Sequence, residues 1–188
     1  MDEREIIIGL KSNDQLAFKY LVDQYNQNVI RTCLGLLQNI EDAEDIAQDV
    51  FVEVFQSIHS FRSDSSLSTW LYRIAVNKSL NLIKKNKKKQ WLLNIESLFA
   101  GKKISDIIPS DLNLLPDEQL IKNENQAELH AAIESLTDSQ KVAFTLNKYE
   151  DLSYKEISEV MKISLSSVES LIFRAKATIV KKMTKKST

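Results

Sequence analysis

The sequence is short of the residues that interrupt helices. Of its 188 residues only 3 are Gly and 2 are Pro, too few for a protein of sheets and tight turns, so helices with short connections are expected. Cysteine is almost absent. Cys33 has no second cysteine to pair with, which fits a reducing compartment, and within Cys33-Leu34-Gly35-Leu36-Leu37 it reads as a small buried hydrophobe. No apolar run approaches the roughly 20 residues that span a bilayer. Met1-Asp2-Glu3-Arg4 is followed by a short apolar run without a cleavage-like site, so no signal peptide is expected. These absences predict a soluble, cytoplasmic protein. Catalytic patterns are missing as well: there is no Gly-rich phosphate loop and no Cys/His cluster, and His59 and His130 have no catalytic company. The expectation is a protein that is not an enzyme, with no metal, cofactor or small-molecule substrate.

What is present is segregated charge. The 25 basic and 26 acidic residues nearly cancel to a net charge of -1, yet they are not mixed along the chain. Between Arg31 and Arg62 there is no Lys or Arg, while Glu41, Asp42, Glu44, Asp45, Asp49 and Glu53 accumulate. Between Asp64 and Glu96 there is no acid, while Arg73, Lys78, Lys84, Lys85, Lys87, Lys88 and Lys89 accumulate. A solvated face usually mixes signs. One segment suits a basic partner and the next a polyanion, as in an adaptor between a protein machine and nucleic acid.

Apolar spacing places the elements. Phe18, Leu21, Val22, Tyr25, Val29, Cys33 and Leu36 recur with helical period, with Asn13 or Asp14 as cap. A second helix is expected from about Glu41 to Ile58, with Ala43, Ile46, Ala47, Val50, Phe51, Val54 and Phe55 on its inner face. After a polar loop, His59 to Ser66, a third helix starts near Leu67 and enters the lysine run. Residues 90–123, with Gly101, Pro109 and Pro116, read as a linker rich in Leu and Ile that carries Asp106, Asp111, Asp117 and Glu118. A second domain begins near 124, with capping boxes at Thr137-x-x-Gln140 and Ser153-x-x-Glu156. The fold class is all-α: two small helical domains, 1–89 and 124–188, joined by a flexible linker over 90–123, the C-terminal one a helix-turn-helix.

In that helix-turn-helix, Lys162-Ile163-Ser164-Leu165 forms the turn. Ile157, Val160, Ile163, Val168, Leu171 and Ile172 supply the core. On the last helix Ser166, Ser170, Arg174, Ala177 and Lys181 face outward, short polar and basic side chains suited to base edges and phosphates. On the third helix Thr69, Arg73, Asn77, Asn81, Lys84 and Lys88 share a face, with Phe61, Trp70 and Tyr72 nearby as stacking groups; the alternative, favoured for Trp70, is that Trp70 and Leu71 are core. Acids in the first turn of the second helix suit the helix dipole. Asp49 and Glu53 lie beyond that turn and have no counter-charge near them in sequence, which favours a protein-docking surface.

Five stretches of residues then resemble those of a family. Asp42-Ala43-Glu44-Asp45-x-x-Gln48-Asp49-Val50-Phe51 is followed by Phe61-Arg62 and by Ser68-Thr69-Trp70-Leu71-Tyr72-Arg73-Ile74-Ala75-x-Asn77. Leu152-Ser153-Tyr154-x-Glu156-Ile157 precedes Val168-x-Ser170-x-Ile172-Phe173-Arg174-Ala175. In this order they resemble the extracytoplasmic-function sigma factors, the small two-domain members of the bacterial sigma-70 family. The resemblance implies a transcription initiation factor whose partners are core RNA polymerase, promoter DNA and an anti-sigma factor. It implies that Glu41, Asp42, Asp45, Gln48 and Asp49 dock on the polymerase clamp. It implies that Phe61, Arg62, Arg73, Asn77, Lys78, Asn81 and Lys84 meet the melted −10 element. It assigns the −35 duplex to Ser166, Ser167, Glu169, Ser170, Phe173, Arg174 and Lys181. The linker would thread the polymerase near the RNA exit path, its acids mimicking RNA.

Three positions depart from the family pattern. Lys162 stands where the turn usually carries Gly; at positive φ it bears a penalty of roughly 1 kcal/mol. Glu169 and Leu171 stand where basic residues are usual, which leaves the −35 preference open. The alternative reading is a helix-turn-helix regulator that acts without polymerase. It explains residues 124–183 and leaves the acidic helix unexplained.

Overall fold

A computed structural model describes residues 1–99 and 128–184, with the side chains of 94–99 left aside. Among the described residues all regular structure is helical. Asp2 opens the first helix, α1 (Glu3–Lys11), with a reciprocal capping box: its carboxylate accepts from the Glu5 N–H at 2.8 Å, and Glu5 accepts from the Asp2 N–H at 2.8 Å. This helix adds to the three expected in the first domain; its signal is Asp2-x-x-Glu5 ahead of Ile6-Ile7-Ile8. Asp14 caps α2 (Gln15–Leu37), accepting from the Leu16 N–H at 2.8 Å, and Asn39 caps α3 (Ile40–Ser57) through the Asp42 N–H. A short 3₁₀ turn, Ile58–Ser60, leads into the loop before α4 (Leu67–Phe99).

At 33 residues, α4 is longer than expected. Positions 90–99, assigned to the linker from sequence, are helical because they contain neither Gly nor Pro; the first such residue is Gly101. The rest of the expected linker, with Asp106, Asp111, Asp117 and Glu118, lies outside the described residues.

The second half begins with α5, described over residues 128–134. The two expected capping boxes are both formed: Thr137 and Gln140 open α6 (Asp138–Tyr149), and Ser153 and Glu156 open α7 (Tyr154–Met161). Lys162 ends α7 in the left-handed conformation, φ 55° and ψ 44°, and α8 (Leu165–Thr184) follows. The turn thus adopts the backbone that favours Gly, with a Lys in place.

Burial divides into three clusters. Ile6, Leu10, Leu21, Val29, Cys33, Val50, Val54, Ile58, Leu67 and Leu71, each at 1% exposure or less, hold α1 to α4 together. Ala132, Ile133 and Leu136 pack on Ala175 and Ile179. The remaining cluster joins the two halves: Leu36, Tyr72 and Val76 pack against Val142, Leu146, Ile157, Val160, Val168 and Ile172. At Gly35, α2 meets α6 so closely that a Cβ would lie 2.6 Å from Thr145 Cγ2. The halves are therefore docked, not merely tethered.

Candidate nucleic-acid interface

On α3 the apolar residues Ala43, Ala47, Val50, Phe51 and Val54 point inward. Helical geometry then places Glu41, Asp45, Gln48 and Asp49 at the surface, with Asp42 half-buried beside its cap. Among the described residues no cation lies within ion-pair distance of Glu41, Asp42, Asp45 or Asp49. Glu53 differs from expectation. Lys78 Nζ, on α4, sits 2.9 Å from Glu53 Oε2, so the counter-charge missing in sequence arrives from the neighbouring helix. Lys78 is thereby tied to α3 rather than presented freely with Asn77 and Asn81. An apolar groove of about 250 Å³ runs between α2 and α3, lined by Gln15, Phe18, Val52, Phe55 and Gln56. The Phe18 and Phe55 rings meet edge to face at 5.3 Å.

Ser66 opens α4 by accepting from the Thr69 N–H at 3.1 Å. Ahead of it the Phe61 ring lies against Trp70 at 4.9 Å, and Phe61 is only 6% exposed. Phe61 is thus mostly covered, and what it leaves open lines a pocket beside Trp70. Arg62 is exposed. A pocket of about 140 Å³ opens between loop residues 60–65, Trp70 and Arg73. Tyr72, expected among the stacking aromatics, is 5% exposed and belongs to the inter-domain cluster. Asn77, Asn81 and Lys84 remain at the surface.

In the second half, Ser164 caps α8 by accepting from the Ser167 N–H at 3.2 Å. Val168, Ile172, Ala175 and Ile179 are buried, which turns Ser166, Ser167, Glu169, Ser170, Phe173, Arg174 and Lys181 outward, all exposed. Phe173 is exposed to 75%, unusual for an aromatic without a function at the surface.

The two candidate DNA faces meet. Asn77 and Lys84 on α4, with Ser166, Ser167, Ser170 and Arg174 on α8, line one cleft of about 780 Å³. Arg73 reaches across and donates from Nη2 to the Glu159 carbonyl at 3.0 Å. Between the two halves, Glu150 has no exposed side-chain surface. Its Oε2 accepts from Asn28 Nδ2 at 2.9 Å, from Tyr72 Oη at 3.1 Å and from Arg31 Nη2 at 3.3 Å, and its Oε1 accepts from Arg31 Nε at 3.2 Å. Burial, reinforced by the Glu150 charge, pushes the Tyr72 phenol up to about 12, and burial pushes the Cys33 thiol up to about 11. Asn28, Arg31, Gly35 and Glu150 carry no motif. They become a group only when residues more than a hundred apart are folded together.

The chain was compared with known proteins. The Sigma-70 region 2 family matches residues 21–89, and the Sigma-70, region 4 family matches residues 126–179. The ECF RNA polymerase sigma factor SigW of Bacillus subtilis is 31% identical over 174 residues, 93% of this chain and 92% of SigW. CnrH, solved in complex with the cytosolic domain of CnrY, superposes with a TM-score of 0.69 at 19% identity over 98% of both chains. The sigma factor RpoE of Bartonella quintana, solved with the anti-sigma factor NepR, gives 0.64 at 17% identity, covering 89% of this chain and 96% of RpoE. These two likenesses concern the fold.

Proposed function

Because the chain belongs to the extracytoplasmic-function RNA polymerase sigma factors, we propose that its three exposed faces divide the work of promoter recognition. The protein is an initiation factor that binds core RNA polymerase and directs it to specific promoters. The observation that carries the division is the sorting of exposed charge: α3 is acidic outside, α4 is basic and rich in amides, and α8 pairs small polar side chains with Arg174.

Glu41, Asp42, Asp45, Gln48 and Asp49 dock on the polymerase. The −10 element is read as a melted strand by Arg62, Arg73, Asn77, Asn81 and Lys84, with Lys78 steadying α4 through Glu53. The pocket bounded by Trp70 and Arg73 receives an extruded base. Flipping costs a few kcal/mol, which stacking and hydrogen bonds there must return. The −35 duplex is read by Ser166, Ser167, Glu169, Ser170, Phe173 and Arg174, with Lys181 on phosphate. Phe173 suits a thymine methyl, and Glu169 suits a cytosine amino group. A third partner, an anti-sigma factor, competes for the groove at Phe18, Val52 and Phe55, whose apolar walls adjoin the acidic face. RpoE with NepR supplies the analogy. Work beside the polymerase places the chain in the cell interior; among the described residues no helix is long and apolar enough to cross a membrane.

Selection of promoter fragments with reconstituted core polymerase tests the assignment and reads the sequence preference together. Wild-type chain recovers a consensus and protects it only when core enzyme is present. Protection by the chain alone would favour a polymerase-independent regulator. Asp45→Lys with Asp49→Lys abolishes capture of core polymerase while leaving the melting temperature unchanged; retained capture would remove the acidic face from the interface.

A further inference from the structure

The two faces assigned to DNA look into the same cleft, and the contacts that hold them there are made within the chain. We propose that Glu150, received by Asn28, Arg31 and Tyr72, is a latch that keeps the free protein closed, its promoter-reading faces held at one cleft and too close together to span a promoter. The proposal rests on the assignment of α4 and α8 to DNA.

Three independent features support it. The Glu150 carboxylate is fully buried, and donors on two helices of the first domain satisfy it. A buried carboxylate is tolerated only where such donors are pre-placed. Gly35 is a notch: only the missing side chain lets α2 approach Thr145, which would otherwise lie 2.6 Å from Cβ. Leu36, Tyr72 and Val76 are buried against the helix-turn-helix core rather than against their own domain. Charge, shape and apolar surface therefore agree on one docked arrangement.

That arrangement cannot read a promoter. The names of the −10 and −35 elements place them about 25 base pairs apart, roughly 85 Å of duplex at about 3.4 Å per pair. In the closed chain Asn77 and Lys84 share a cleft of about 780 Å³ with Ser170 and Arg174, and Arg73 spends its Nη2 on the Glu159 carbonyl. Opening is therefore a required step. A ligand that binds only the open form, polymerase or DNA, binds with an apparent affinity equal to its intrinsic affinity multiplied by the fraction of chain that is open. Charge-assisted hydrogen bonds such as those to Glu150 each stabilise enough that losing the carboxylate shifts the closed-to-open ratio by roughly 10- to 100-fold.

The test uses the full chain with spin labels on Lys19→Cys and Lys176→Cys, both exposed and in different domains, while Cys33 stays buried and unlabelled. Wild-type chain gives one short, narrow distance distribution. Glu150→Ala and, separately, Gly35→Leu lengthen and broaden it, and each raises affinity for a mixed-sequence single strand and duplex, without polymerase, by about 10-fold or more. Gly35→Leu guards against misfolding, since Leu favours helix more than Gly does and acts only as a wedge against Thr145. Distances unchanged in both variants would overturn the latch, and so would opening without any gain in DNA binding while Lys84→Ala and Arg174→Ala still impair polymerase-dependent transcription. If the chain opens and those two substitutions leave transcription intact, it is the DNA assignment that fails, while the closed arrangement stands.

Discussion

Lys162 holds a left-handed backbone at φ 55°, and its N–H donates to the Ser158 carbonyl to close α7. An L-residue there bears a steric penalty of about 1 kcal/mol that Gly escapes. Lys162→Gly is expected to stabilise the fold by about 0.5 kcal/mol at most, once the greater freedom of Gly in the unfolded chain is allowed for, and a thermal melt checks it. At Arg174 the expectation is opposite in kind: Arg174→Ala leaves the melt unchanged and weakens −35-dependent binding by about 1–3 kcal/mol; equal binding to a specific duplex would remove it from the interface. Single residues were legible in sequence where the cause is local. Cys33 reads as buried from its apolar neighbours, and Ser164 as a cap from its place before Leu165. Residues whose role comes from a distant partner were not. Glu53 looked unpaired because Lys78 lies a helix away, and Phe61 looked available because its burial beneath Trp70 is a tertiary fact.

At the scale of the helix, capping explains most boundaries. The reciprocal boxes at Asp2, Thr137 and Ser153 satisfy backbone donors that a helix start leaves open, and two of the three were evident as sequence patterns. The box at α7 has a pH signature. Hydrogen bonds from the Ser153 hydroxyl and backbone N–H hold the Glu156 carboxyl below its ordinary value of 4.5. A depressed carboxyl favours the fold above the unfolded value, and that contribution disappears as pH falls through the folded one. Amide exchange in α7 is expected to accelerate as pH drops below about 4.5 relative to its trend in Glu156→Gln, whose cap does not titrate; matching trends in the two would dismiss the effect. The end of α4 is not marked in the sequence, because a loss of apolar periodicity looks the same as a loss of helix. A helix that leaves the core has no inner face to mark it, and only the absence of Gly and Pro shows that it continues.

Across the whole molecule, the fold rests partly on two groups that must stay protonated, Tyr72 where the halves dock and Cys33 in the core of the first half. Tyr72 donates to Glu150, and ionising it would set a phenolate beside a buried carboxylate. Its value is raised from 10.0 to about 12, and that of Cys33 from 9.0 to about 11. Because the fold holds these protons more tightly than the unfolded chain, the stability linked to them is whole below pH 9 and is lost as pH rises through about 11 and 12. Melts across this range should fall from about pH 9 upward, with the limb above pH 10 diminished in Tyr72→Phe; an identical alkaline limb in that variant would show that Tyr72 contributes nothing to it. The two-domain plan was legible from composition and spacing, whereas the closure between domains was not. Its residues are scattered, and no local pattern announces a contact such as Asn28 with Glu150.

The uninterrupted course of α4 has a mechanical consequence. Its first turns are clamped by Leu67, Leu71, Ile74 and Ala75 in the core of the first domain, while its lysines project beyond it. At about 1.5 Å per residue the helix is a rod of roughly 50 Å. A tilt of about 10° at Leu71 would swing Lys89, about 27 Å further along the helix, by about 5 Å, more than one base-pair rise. The core under Leu71 is thus the fulcrum of a lever, and its packing sets how far along a DNA strand the lysine end can reach.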